Sequence, residues 1–298
     1  MIRIFFLLLL FTTNCLAAAP ESFFAIAERP TPVLNSPNFR GVFGGRSGKT
    51  LKTDGQGLIR EVEFIALPGT VFTVNGEMQS GGAKIYRVTT GDYPYPARTG
   101  YFIDARFVRP ASQTPTPREK TLPPFDQIMR RLLSAQGSPY VWGGNLRGGI
   151  PDLLDYYPPA ARLSPADAAL WQLEGLDCSG LLYEATGGFT PRNTSSLANY
   201  GKGVPIAGLP VGKLVERLEP LDLIVWPGHV IIVLDRQRTI ESRLSGGKKG
   251  GGVVVRPLRQ VLEEIMATRR PVDSAGGLSV GGKGAFVIRR WFEPEMSR

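Results

Sequence analysis

The chain has 298 residues, 42% hydrophobic and 20% charged, a balance that fits globular domains and excludes a disordered or fibrous polymer. Its 36 glycines and 25 prolines suit a β-rich, loop-rich build rather than a helical bundle. Two cysteines and one histidine exclude a disulfide-stapled scaffold and fall short of a zinc ligand set, while a net charge of +9 suits an anionic polymer or membrane surface as partner.

The first stretch reads as a secretory signal over residues 1–19. Arg3 supplies a basic start, Ile4 to Phe11 an apolar core, and Ala17-Ala18-Ala19 the A-x-A cleavage pattern. The apolar run is too short for a comfortable membrane span, so no stable membrane insertion is expected after cleavage. Cys15 raises a lipid anchor as the lesser reading, because Asn14 stands where lipoprotein signals carry a small residue. Removing residues 1–19 leaves Cys178 as the only thiol and forbids an intramolecular disulfide. An unpaired thiol in an oxidising compartment is a liability unless it has a task.

Residues 20–40, with Pro20, Pro30, Pro32 and Pro37, read as an extended lead-in. From 41 to 110 short apolar pieces alternate with turn signals: Leu58–Leu67, Val71–Val74, Lys84–Thr89 and Tyr101–Val108. Asn75-Gly76 reads as a turn, and strands of this length argue a small all-β barrel or sandwich. The run Gly44-Gly45-Arg46-Ser47-Gly48-Lys49-Thr50 imitates a phosphate-binding loop. That pattern needs glycine where Phe43 stands and a helix where Leu51 to Gly57 lies, so a glycine-rich surface loop is expected rather than a nucleotide site. No nucleic-acid partner is expected. Residues 111–124 form a Pro-rich, semi-rigid linker. Phe125, Ile128, Met129, Leu132 and Leu133 then have helical spacing and open a second domain, 125–298.

In that domain Cys178 stands just ahead of Leu181, Leu182 and Ala185, which places the thiol at a helix N-terminus. Free backbone N–H groups and the helix dipole there favour the thiolate, the nucleophilic form. His229 lies at the mouth of a buried strand, Val230–Leu234; Asp235–Arg238 turns the chain, and Thr239–Ser242 returns with Glu241. A lone cysteine is usually a small core hydrophobe and a lone histidine usually structural. Both unique in the mature chain and both at the end of an element, they read together as a nucleophile and its base. Beyond them, Gly246–Gly252 is a basic loop, Val253–Val255 and Phe286–Ile288 are strands, and Leu258, Val261, Leu262 and Ile265 mark a helix.

Four pieces occur in one order: Ser138-Pro139-Tyr140-Val141-Trp142-Gly143-Gly144, Asp177-Cys178-Ser179-Gly180, Leu218-Glu219-Pro220-Leu221-Asp222-Leu223-Ile224, and Gly228-His229 followed by Glu241. Together they resemble the NlpC-type cell-wall cysteine peptidases over roughly residues 125–298. Leu67–Phe72 and Gly100–Val108 resemble bacterial SH3-like wall-targeting domains. The resemblance implies an α+β fold: a papain-like domain, with an antiparallel sheet packed on the cysteine-bearing helix, preceded by a small SH3-like barrel. It implies an exported protein, periplasmic or wall-associated, that cuts peptidoglycan stem peptides, with the γ-D-glutamyl–diaminopimelate link as the expected bond. Cys178 is then the nucleophile, His229 the base and Glu241 the orienting residue, where many members carry histidine. Tyr140 is expected near the thiolate. Asp177, Ser179 and Arg192 are candidates for substrate binding, with a helix cap open for Asp177 and a structural ion pair for Arg192. No cofactor and no metal are expected. The alternatives are a non-catalytic wall-binding protein on a relic peptidase fold, and an amidase or acyl transferase on the same scaffold.

One departure from the family is the length of 145–176, between Tyr140 and Cys178. Ser164 reads as an N-cap followed by Pro165. With Leu153, Tyr156, Leu170 and Trp171 as apolar surface, the segment is expected to form a lid or groove wall; the alternative is an extra helix packed away from the cleft.

Overall fold

The computed structural model describes residues 23–245, 250–279 and 284–293. The expected signal segment with Cys15, and Lys248-Lys249 of the basic loop, lie outside them.

Alternating apolar and polar residues build the first half. Its strands are β1 Phe23–Ala27, β2 Thr31–Leu34, β3 Val62–Ala66, β4 Val71–Ser80, β5 Ala83–Thr89, β6 Tyr101–Asp104 and β7 Val108–Ala111, with one short helix, α1 Phe39–Val42. They form an antiparallel sheet in the order β3-β2-β6-β5-β4-β1-β7. In β5 Ala83 and Ile85 are buried around exposed Lys84, and after the buried pair Ile85-Tyr86 the alternation resumes in the opposite phase, with Val88 buried between exposed Arg87 and Thr89.

Two expectations are corrected here. The lead-in expected over 20–40 gives way, over its described residues 23–40, to two strands of the sheet: β1 lies between β4 and β7, and β2 between β3 and β6. Proline suggested a loose segment, but β6 joins β2 only at Leu34, which leaves Pro32 outside that ladder. Asn75-Gly76 is not a turn either. It lies inside β4 at a register shift against β5, a bulge, and the hairpin closes at Gly81-Gly82, whose φ angles of +60° and +85° suit a two-residue turn.

The linker 112–124 carries no helix or strand, yet Arg118 ties it down. The guanidinium bonds to Asp92 in the first half at 3.0 Å, and to Tyr183 Oη at 3.2 Å and the Gly188 carbonyl at 2.9 Å in the second.

The second half runs α2 Phe125–Ser134, β8 Asn145–Leu146, α3 Asp152–Tyr156, α4 Pro165–Trp171, β9 Gly175–Leu176, α5 Cys178–Ala185, α6 Thr194–Leu197, β10 Lys202–Gly203, α7 Val211–Arg217, β11 Leu223–Trp226, β12 His229–Val233, β13 Arg238–Leu244, β14 Gly251–Pro257, α8 Leu258–Thr268, β15 Arg269–Pro271 and β16 Gly284–Arg290. Its sheet has the order β10-β16-β11-β12-β13-β14, antiparallel throughout, with β15 added parallel to β16. Leu223, Val225, Val230 and Ile232 pack with α2 and α5 on one face. Ile224, Ile231, Val233 and Phe286 pack with α7 and α8 on the other. Burial on both faces explains why the central strands read as unbroken apolar runs.

The segment 145–176 lines neither the cavity at Cys178 nor the one at His229. Leu153, Tyr157, Trp171 and Leu173 join the core of the first sheet. Tyr157 stacks on Phe39 and Phe43 at 5.9 and 5.6 Å and donates its hydroxyl to Asp104. Trp171 Nε1 donates to the Tyr157 carbonyl at 3.0 Å, and Arg29 pairs with Asp152 at 2.7 Å. The apolar residues that suggested a lid belong to an interdomain core.

Candidate active site

Helix α5 is buried on nearly every side, with Glu184 the exception, and it starts at Cys178. Asp177 is its N-cap: Oδ1 accepts the Gly180 N–H at 2.7 Å. Two glycines allow the close packing that fixes this helix. A Cβ on Gly180 would sit 2.0 Å from the Gly144 carbonyl oxygen. One on Gly143, at φ +70°, would sit 2.6 Å from the Val62 carbonyl oxygen of the first sheet. Ser242 Oγ of β13 donates to the Leu176 carbonyl at 2.6 Å, which fixes the approach to Cys178 against the second sheet.

Cys178 is 7% exposed, and its Sγ lies 3.7 Å from Thr194 Oγ1 and 4.0 Å from the Gly228 carbonyl oxygen. His229 opens β12 and shares the strand face of Ile231 and Val233. Glu241 of β13 lies beside Ile240, which faces the other core, so its carboxylate reaches the histidine side. Nε2 of His229 and Oε2 of Glu241 are 2.7 Å apart. Cys178 is the other group that acts on the ring. With Nε2 engaged by Glu241, Nδ1 is the nitrogen open to the thiol. Burial works against a charged imidazole here, but Cys178 and Glu241 outweigh it and raise His229 to about 9.

Glu241 is 3% exposed, and burial alone would push its carboxyl up. His229, Arg243 and Arg256 reverse that and hold it below the usual range. Arg256 Nη1 is 3.2 Å and Arg243 Nη1 3.6 Å from Oε1. Arg256 is itself anchored on Glu264 at 2.5 and 2.6 Å.

Tyr140 lines the cavities on both sides of this group. Burial, with the negative charge of Asp177 nearby, pushes its phenol well above the ordinary range, so the hydroxyl stays protonated and can donate.

Asp177, Ser179 and Arg192 meet at the floor of the site, but their polar atoms are spent on one another. Arg192 is 3% exposed and uses all five N–H groups. Nε donates to Asn145 Oδ1 at 3.0 Å, Nη1 to Asp177 Oδ1 at 3.0 Å and Ser179 Oγ at 2.9 Å, and Nη2 to Asp177 Oδ2 at 2.6 Å and the Gly144 carbonyl at 3.3 Å. The expected substrate-binding role is therefore corrected for Arg192 to a brace on the nucleophile helix. Asp177 is cap and brace partner together.

Several site residues carry no mark in the sequence. A cavity of about 460 Å³ beside Cys178 is walled partly by Glu63 and Tyr93 of the first half. Asn193 Nδ2 donates to Tyr93 Oη at 3.4 Å, Tyr93 Oη donates to Glu63 Oε2 at 3.3 Å, and Tyr95 Oη donates to Ser196 Oγ at 2.7 Å. Asn145 exchanges two hydrogen bonds of 2.9 Å with the Ile65 backbone, as a strand neighbour would, and carries the β3 edge to Arg192. Only docking of the two halves creates these contacts, so periodicity and motif spacing cannot announce them. Thr194 alone had a local sign, its place after the Asn193 cap.

Among the described residues, no cluster of three His, Cys, Asp or Glu could hold a metal ion, and no helix is long and apolar enough to cross a membrane.

No family model matches the chain, and no curated relative does. Solved structures overlap it weakly. The resuscitation promoting factor interacting protein RipA is 22% identical over 55% of this chain and 60% of its own, with a TM-score of 0.29. RipD of Mycobacterium tuberculosis, described as a non-catalytic NlpC/p60 domain protein adapted to peptidoglycan binding, is 19% identical over 56% of this chain and 96% of its own, at 0.31. NlpC1 of Trichomonas vaginalis is 12% identical over 91% and 69%, at 0.33. Overlaps of this size carry no argument about activity, which has to stand on the geometry of the site.

Proposed function

We propose that the chain is an exported cysteine peptidase that cuts peptidoglycan stem peptides, at the γ-D-glutamyl–diaminopimelate link. The observation that carries the reading is the group gathered at the start of α5: the chain's only histidine, its charged form favoured by the neighbouring Cys178 and its Nε2 held at 2.7 Å by a buried carboxylate.

The roles follow from that arrangement. His229 takes the thiol proton, and the resulting imidazolium is stabilised by Glu241 on the side away from sulfur. The thiolate attacks the carbonyl carbon. As the first residue of α5, Cys178 has no helical acceptor for its N–H, which is free to donate to the oxyanion beside the Tyr140 hydroxyl. His229 Nδ1 returns the proton to the departing amine, then draws one from water to release the acyl group. Glu63 is the carboxylate that the first half brings to the Cys178 side, and it suits an amine on the acyl half. In this reading the first half acts as the SH3-like domain of the resemblance and shapes the substrate cleft.

Purified protein with a reduced thiol, incubated with stem peptides, should release the amino half, and iodoacetamide should label Cys178 rapidly at pH 6, where an ordinary thiol is protonated. Intact peptides together with ordinary labelling would sink the proposal in favour of a wall-binding relic.

A further inference from the structure

Four aromatic and glycine residues, Tyr140, Trp142, Trp226 and Gly228, line two cavities at once. The reacting groups are divided between these cavities: Cys178 lines one, His229 the other. An acid that protonates a departing amine must face it, so on the proposed peptidase reading the leaving half lies in the His229 cavity, about 470 Å³ in volume.

The two cavities differ in charge. The Cys178 side carries Glu63 and Asp177, and its one arginine, Arg192, is consumed by the brace. The His229 side carries Arg60, Arg243, Arg256 and Arg269 against Glu241 and Glu264, and the imidazolium adds to the positive side. These arginines are not equivalent. Arg256 is spent on Glu241 and Glu264, and Arg60 bonds Asp54 at 2.6 Å while lying 4.3 Å over the Trp142 ring. Arg269, at the start of β15, has no carboxylate partner among the described residues. It lies 4.7 Å over Trp226, whose ring is 5.0 Å from that of His229. A half-buried guanidinium held on an aromatic face keeps its fork of donors directed and loses little freedom on binding an anion.

We propose that the His229 cavity is a carboxylate-reading subsite for the leaving half of the substrate, with Arg269 the specificity-determining residue and Arg243 a second arginine of the same cavity. The enzyme then selects amines that carry a free carboxylate and handles the matching carboxamides poorly.

The test uses two peptides with the same acyl half, whose leaving residue ends in a carboxylate or a carboxamide. Wild-type kcat/KM should favour the carboxylate by about tenfold or more, the scale of one charge-assisted hydrogen bond. Arg269→Gln should remove most of that preference, and Arg269→Lys should keep part of it. Damage relayed through Trp226 to His229 would slow both peptides alike and leave the ratio standing, so the ratio is the readout. Binding of both peptides to the Cys178→Ala protein, measured by calorimetry, separates the subsite from the chemistry. Discrimination in Kd that Arg269→Gln abolishes, without turnover by the wild type, keeps the subsite and removes the peptidase reading. Turnover with no preference, or a preference untouched by Arg269→Gln, overturns the subsite alone.

Discussion

Glu241 is nearly sealed from water, with His229, Arg243 and Arg256 around its two oxygens. A buried carboxylate so surrounded stays ionised and is an electrostatic anchor for an imidazolium. Glu241→Gln should therefore keep the fold, lower kcat by roughly a hundredfold or more, and move the alkaline limb of the pH–rate profile down from about 9 toward 6.5. An unmoved limb would take Glu241 out of the relay. The sign for stability is the same. His229 is raised above its unfolded value of 6.5, so its contribution is complete below 6.5 and is lost as pH rises through about 9. Arg192 makes the opposite case, a charge that acts on structure. Arg192→Met strands Asp177 in a nearly closed site and should cost about 3–5 kcal/mol in denaturant unfolding, with lysine a poor substitute because it cannot make the five-bond fork. Cys178 and His229 were legible because each opens an element, α5 and β12, whereas Glu241, in the middle of β13, was pointed to by the family resemblance. The brace was not legible, since Asn145, Asp177 and Arg192 are distant in sequence and only folding shows that each is the other's partner.

The segment 145–176 shows where pattern reading stops at the level of elements. Its sequence marks α4 correctly, with Ser164 Oγ accepting the Asp167 N–H at 3.1 Å and Pro165 in the first turn. Amphipathic spacing says that a face is buried but not against what, and the partner here is the core of the first sheet. The same limit applies to Asn75-Gly76, a sound turn signal in isolation that the paired length of β4 and β5 overrides. The role of 145–176 is then a bracket between halves. Trp171→Ala should cost about 3–5 kcal/mol, as removal of a fully buried indole does, and should leave the ranking of stem peptides unchanged in kcat/KM. A broadened substrate range with undiminished stability would restore the lid.

The two halves behave as one machine because the cleft needs both: Arg60, Glu63 and Tyr93 come from the first, and the relay from the second. Besides the apolar core they share, a few polar clasps set their registry, and one centres on Asp92. Its carboxylate takes Arg118 at 3.0 Å, Lys120 at 2.7 Å and the Thr70 hydroxyl at 3.0 Å, while Arg118 reaches on to Tyr183 and Gly188 behind α5. Burial would push Asp92 up, but Lys120 and Arg118 hold it below its usual 3.8. A depressed carboxylate contributes fully above 3.8, and that contribution is lost as pH falls through the lowered value in the folded protein. The linker 111–124 should then become open to proteolysis in strong acid before the second sheet unfolds. Asp92→Asn should reproduce the loosening at neutral pH, because the amide keeps the shape and removes the charge. Since Cys178, His229 and Glu241 all belong to the second half, alkylation of the thiol should proceed at the wild-type rate. Substrate contacts from the first half should weaken, so KM should rise severalfold with kcat retained. Equal losses in KM, kcat and thiol reactivity would mean instead that the clasp supports α5 directly through Tyr183, and that the halves dock without it.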